Sequence, residues 1–124
     1  SLSGGELKRV QLAKTLVQLY NPSFNNKENK YALLDEPLAN LDLFYEIDVL
    51  KIIRDLSRDQ GVGIMLIIHD LNLAAKFSNK IALLCSGELK DYGKPKNVLK
   101  PSTLKTIYNM NMKVNMKPFR VIHY

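Results

Sequence analysis

The sequence predicts an α/β fold organised on parallel strands, and three observations carry that prediction. Two short runs, Tyr31-Ala32-Leu33-Leu34 and Ile64 to Ile68, are apolar throughout, the pattern of strands covered on both faces. Between them Phe44, Ile47, Val49 or Leu50, Ile53 and Leu56 recur at helical spacing and stop before Gly61, so the order is strand, helix, strand. Each apolar run is followed by ionisable residues, Asp35-Glu36 after the first and His69-Asp70 after the second. The ends of strands are where α/β sheets hold ligands.

The elements follow in order. From Gly5 to about Tyr20, apolar Leu7, Val10, Leu12 or Ala13, Leu16 and Leu19 or Tyr20 define an amphipathic helix that Asn21-Pro22 ends. Residues 21–30 are rich in turn formers and lack periodicity, which reads as an exposed loop. After the strand over 31–34, a turn from Pro37 to Asp42 leads into the second helix and then the strand over Ile64 to Ile68. Asp70 is placed to cap a helix through Leu71, Leu73, Ala74 and Phe77. Lys80 to Cys85 and Glu88 to Tyr92 flank Ser86-Gly87 as a hairpin. A short helix is expected after Pro101-Ser102, and Lys113 to Met116 with Phe119 to His123 form a terminal hairpin. There is no internal repeat or low-complexity tract.

Bulk properties narrow the function classes. At 124 residues and 46% hydrophobic content the chain is one domain's worth or less of ordinary globular composition. Its longest apolar run, Ile64 to Ile68, is far too short to span a bilayer, and the N-terminus has no charged-then-apolar targeting pattern. Cys85 is the only cysteine, which excludes an intramolecular disulfide, and its apolar neighbours Ile81 to Leu84 predict a buried, inert thiol. The net charge of +6 arises entirely after residue 86, where eight Lys/Arg face two Asp/Glu. Those lysines are scattered rather than interleaved with stacking aromatics, so they read as a solvated face and no nucleic-acid partner is expected.

The chemistry is concentrated in four short motifs. Ser1-Leu2-Ser3-Gly4-Gly5-Glu6 puts two glycines and a serine at a helix entrance, where unpaired backbone N–H groups, a hydroxyl and a positive helix end suit a phosphate. Tyr31 to Pro37 is an apolar strand ending in two adjacent carboxylates; alone, such a pair is commonly two solvated acids. Ala39-Asn40-Leu41-Asp42 follows, and then Ile68-His69-Asp70. Glu6 reads first as a helix-start residue favoured by the dipole, and His123 as an ordinary strand residue. In order and spacing the four motifs resemble the signature motif, Walker B strand, D-loop and switch-histidine loop of the ATP-binding-cassette (ABC) ATPases, and the resemblance runs over nearly the whole chain.

That resemblance implies the C-terminal part of a P-loop NTPase domain of RecA-like fold, divided into a signature helix over 1–22, a core over 31–92 and a C-terminal extension over 93–124. It implies ATP and Mg²⁺ as ligands, with Asp35 on the metal, usually through water, and Glu36 as the general base that polarises the attacking water. His69 becomes the γ-phosphate contact. Family members pack head to tail as dimers, so Ser3, Gly4 and Gly5 are expected to contact the nucleotide held by a second copy, with Asp42 at the same interface. The D-loop departs from the commoner Ser-Ala-Leu-Asp pattern at Ala39 and Asn40, which removes a hydroxyl there.

No phosphate cradle of the form G-x-x-x-x-G-K-[ST] occurs. Gly87 to Gly93-Lys94-Pro95 has one residue too many between its glycines and a proline in place of the hydroxyl. The chain therefore reads as the C-terminal half of a longer ATPase, inactive alone and with an unpaired sheet edge where a P-loop strand belongs. His69-Asp70-Leu71-Asn72-Leu73-Ala74 is similar to the importers of metal chelates such as vitamin B12, haem and ferric siderophores. The tail from Leu99 to Asn111 is most similar to the vitamin B12 importer's ATPase subunit. The expected partners are a second ATPase subunit, membrane permease subunits and, indirectly, a substrate-binding protein, with the subunit peripheral on the cytoplasmic face of the membrane. Chromosome-maintenance, DNA-repair and translation-associated ABC ATPases are the alternatives from other classes.

Overall fold

A computed structural model describes residues 4–19, 29–116 and 119–123. The chain divides into two units, residues 1–68 and residues 69–124. The loop expected over 21–30 and Ser3 of the signature motif fall wholly or largely outside the described residues.

In the first unit, α1 (Gly4–Leu19) buries Leu12 and Leu16, one helical turn apart. Leu7, Val10 and Val17 remain exposed, so the covered stripe is narrower than the apolar periodicity predicts. Strand β1 (Lys30–Leu34) leads through a turn to α2 (Leu43–Gln60). Asp42 caps α2 by accepting the Tyr45 N–H at 3.0 Å, and Gly61 ends it in a left-handed conformation, φ 63°, that favours glycine. Val49, Leu50, Ile53 and Leu56 form its buried face, and α2 packs against β2 (Val62–Leu66). The Ser57 hydroxyl donates to the Val62 carbonyl at 2.7 Å and ties the helix end to the strand start.

β1 and β2 pair in parallel from Lys30↔Val62 to Leu34↔Leu66, as strand, helix, strand requires. β2 begins and ends two residues earlier than the apolar run predicts. Pairing explains the difference: β1 stops at Leu34, so the ladder closes with the Ile67 N–H donating to the Leu34 carbonyl at 3.0 Å, leaving Ile68 beyond it. The expectation that this sheet is covered on both faces is not met within the described residues. Leu34 and Val62 are buried, but Tyr31, Leu33 and Met65 on the opposite face are 75%, 71% and 64% exposed. Gly63, the register partner of Tyr31, lies under that ring so closely that a Cβ would sit 2.7 Å from a ring carbon.

The second unit builds its own core. After α3 (Leu71–Phe77), β3 (Ile81–Cys85) and β4 (Glu88–Gly93) form the expected hairpin. Its turn residues Ser86 and Gly87 both have positive φ, 52° and 77°, as a tight two-residue turn between twisted strands requires. A short helix that the sequence did not announce, α4 (Pro95–Val98), precedes α5 (Pro101–Tyr108), which ends on Asn109 with φ 52°. β5 (Met112–Met116) and β6 (Phe119–His123) close the chain as an antiparallel hairpin. Ile81, Leu83, Val98, Leu99, Leu104, Met112 and Val121 form one buried cluster, with Leu71, Ala74 and Phe119 packed against it. Cys85 differs from expectation: at the strand end beside the turn it is half-buried rather than buried.

Candidate functional site

Asp35 and Glu36 leave the end of β1 directly. The strand delivers them because Leu34, the last strand residue, is buried and fixed by the Ile67 hydrogen bond, while the chain must turn immediately afterwards. Asp35 is exposed and Glu36 half-buried. Glu36 has φ 49°, a left-handed backbone conformation that L-residues other than Asn and Asp rarely adopt. Its carbonyl accepts the Ala39 N–H at 3.2 Å, and the carbonyl of buried Leu38 accepts the Leu41 N–H at 3.2 Å, so the turn is anchored behind it. Asn40, also left-handed at φ 66°, is a residue that tolerates the conformation; Glu36 is not. Such a conformation costs about 1–3 kcal/mol and concentrates at functional sites.

Gly4 and Gly5 are the first two residues of the 16-residue α1, with Glu6 in its first turn. Their N–H groups therefore belong to the donors that an α-helix leaves unpaired at its start. Asp42, expected at a nucleotide interface, has its carboxylate engaged as the α2 cap, a role it fulfils without any ligand.

In the second unit His69 is exposed, three residues beyond the end of β2. Asp70 follows as the cap of α3, its Oδ1 accepting the Asn72 N–H at 2.9 Å and the Leu73 N–H at 3.0 Å. The histidine is thus presented from the last residue before a doubly capped helix start. The sequence did not disclose the role of Asn72, whose side chain reaches β6, because its partner is 49 residues away and no local pattern encodes it.

Among the described residues no group of three or more His, Cys, Asp or Glu side chains is arranged to hold a metal ion. A single exposed carboxylate such as Asp35 suits a Mg²⁺ ion that keeps several waters and takes its other ligands from phosphate, and does not suit an all-protein cage. A groove of about 560 Å³ in the second unit, lined by Ala75, Asn79, Lys94 and Phe119 among others, contains none of the predicted site residues. No described helix is long and apolar enough to cross a membrane.

Comparison with known proteins gives a consistent picture. The chain is 44% identical over 113 residues to a hemin import ATP-binding protein of Pseudoalteromonas translucida, covering 91% of this chain and 42% of that protein. It is 42% identical to the hemin import ATP-binding protein of Burkholderia thailandensis, over 92% of this chain and 42% of the relative. The corresponding protein of Rhizobium meliloti is 37% identical, over 94% and 44%. The chain therefore spans about two-fifths of the length of the curated relatives it matches. Among solved structures, a metal-chelate-type ABC transporter in an inward-facing conformation superposes with a TM-score of 0.78 at 25% identity, over 99% of this chain and 48% of that one. No family model matches.

Proposed function

We propose, for a chain that belongs to the ABC ATPases over the part of its relatives that it spans, a role as the signature, Walker B and switch-histidine portion of an ATPase that powers import of a metal chelate. The relatives are named for hemin, which makes a haem-type chelate the favoured cargo; none of those compared is named for vitamin B12, and that narrower reading is not carried forward. The observation that carries the proposal is Glu36, held in a left-handed backbone immediately after Asp35 at the end of β1. A carboxylate kept in a costly conformation by an anchored turn is oriented for a task that solvation alone does not need.

In this reading Glu36 accepts a proton from the attacking water and Asp35 holds a Mg²⁺-bound water or the ion itself. Mg²⁺, when bound, neutralises charge on the β- and γ-phosphates. His69 donates a hydrogen bond to a γ-phosphate oxygen. The helix-start N–H groups of Gly4 and Gly5, with the Ser3 hydroxyl, serve the nucleotide of a second copy packed head to tail. Asp42 acts first by holding α2 and the turn before it. Permease subunits, a second ATPase subunit and a place at the cytoplasmic face of the membrane belong to the same proposal, as do domain bounds of 1–22, 31–92 and 93–124.

The test is Glu36→Gln in a protein that joins these residues to a phosphate-binding loop. The amide keeps the shape and removes the base, so turnover should fall by about 10²- to 10⁴-fold while ATP binding persists. Turnover within a factor of a few of the parent would remove Glu36 from the role.

A further inference from the structure

Asn72, in the first turn of α3, makes a contact that the reading above does not use. Its Nδ2 donates to the Val121 carbonyl at 3.1 Å, and the Val121 N–H donates to its Oδ1 at 2.7 Å. A residue in an antiparallel ladder exchanges just such a pair of bonds with its partner across the strands. Here one amide side chain on a helix stands in for a strand against β6. Both bonds are partly buried, where a hydrogen bond is less exposed to competition from water.

Asn72 is held from two sides. Its own N–H is fixed by the Asp70 carboxylate, and its side chain is fixed by β6. β6 in turn is locked in register with β5, Val121 opposite Val114, and Val121 is part of the buried cluster that Leu71 and Ala74 pack against. His69 precedes the capping residue Asp70 directly. Its backbone thus leaves from the end of α3 that Asn72 ties by hydrogen bonds to the C-terminal hairpin.

We propose that Asn72 is a positioning residue for His69, and that through it the β5–β6 hairpin sets the backbone from which the imidazole is presented. The hairpin is then part of the histidine's support rather than an appendage. Its catalytic meaning rests on the reading of His69 as a phosphate contact, whereas its structural content does not.

The chain has two histidines, His69 and His123, so the first experiment is histidine-labelled NMR of the 124-residue chain with amide hydrogen exchange at Val121. Asn72→Ala should raise Val121 exchange at least about tenfold and move the His69 signals. Unchanged exchange at Val121 would show that the clamp does not hold in solution. Faster exchange with His69 signals unmoved would show that the hairpin does not set the histidine; either result overturns the proposal. Should Asn72→Ala lose the dispersed methyl signals of Val98 and Leu104, Asn72→Leu, which keeps the side chain's volume and loses both the acceptor for the Val121 N–H and the donor to its carbonyl, carries the same two readouts. The second experiment measures turnover in a protein joining these residues to a phosphate-binding loop. Asn72→Ala should lower kcat roughly tenfold with KM for ATP unchanged, because misplacement of a contacting group by about 1 Å costs up to about 10²-fold. In a His69→Ala background the same change should cost no further turnover. A full additional loss there would assign Asn72 a merely structural role, and an inactive parent would refute the ATPase reading while leaving the NMR outcome to decide the clamp.

Discussion

In residues 69–124 seven apolar side chains from Ile81 to Val121 meet in one buried core, whereas in residues 1–68 the two-stranded parallel sheet leaves Tyr31, Leu33 and Met65 on an open face. The two units also differ in charge: residues 1–68 carry eight Lys/Arg against nine Asp/Glu, and residues 69–124 carry ten against three. The contrast comes from connectivity. Antiparallel hairpins such as β3–β4 and β5–β6 are made from adjacent sequence and can fold over short helices to close a core locally. A parallel pair needs a crossover, and covering its second face takes another layer. The unit bearing Asp35 and Glu36 is the one that leaves its sheet half covered.

The largest effect that tests this contrast is expected in the second unit's core. Leu104 is fully buried, so Leu104→Ala should cost about 2–5 kcal/mol of unfolding free energy through lost transfer and a residual cavity. Leu33→Ala, at a residue 71% exposed, should stay within about 0.5 kcal/mol. Urea unfolding of the two variants measures both values. Equal costs would erase the distinction between a closed and an open unit.

The helix caps give a smaller and finer comparison. Asp70 accepts two backbone N–H groups at the start of α3, and Asp42 accepts one at the start of α2. Alanine at either position should cost about 1 kcal/mol, more at Asp70. Asp42→Asn should keep its cap and hence its stability, since asparagine caps as well as aspartate. A loss of stability in Asp42→Asn equal to that in Asp42→Ala would mean that charge, and not capping, is what Asp42 supplies to the fold.

Much of this architecture was legible because its signals are local. Asp42 and Asp70 before apolar periodicity, Gly61 after it, and Ser86-Gly87 between two strands each encode a boundary within a few residues. Leu50, Ile53 and Leu56 were readable as a buried face for the same reason. Apart from the short local helix α4, the larger misses are non-local. The two-residue shift of β2 is set by where its partner β1 ends, and the open face of Tyr31, Leu33 and Met65 depends on a covering layer that periodicity cannot see. At the site, the adjacency of Asp35 and Glu36 was visible, but the left-handed backbone of Glu36 was not, because nothing in a glutamate's chemistry asks for it. Asn72 was visible as part of a motif and invisible as a clamp.

The smallest effect on stability, and the most direct probe of the open face, comes from charging it. Leu33 and Met65 are register partners on neighbouring strands, exposed side by side, so Leu33→Lys with Met65→Glu places opposite charges next to each other and avoids like-charge repulsion. Because both side chains already face water, the double variant should unfold within about 0.5 kcal/mol of the parent. Association should respond far more. An apolar sheet face beside unpaired strand edges is a template for pairing with another chain, and charge on that face is how edges are blunted. The 124-residue chain is therefore expected to self-associate with rising concentration, and the double variant to sediment as a monomer over the same range. A parent that stays monomeric, or a double variant that associates equally, would mean that the face of Tyr31, Leu33 and Met65 is not where this unit seeks its missing layer.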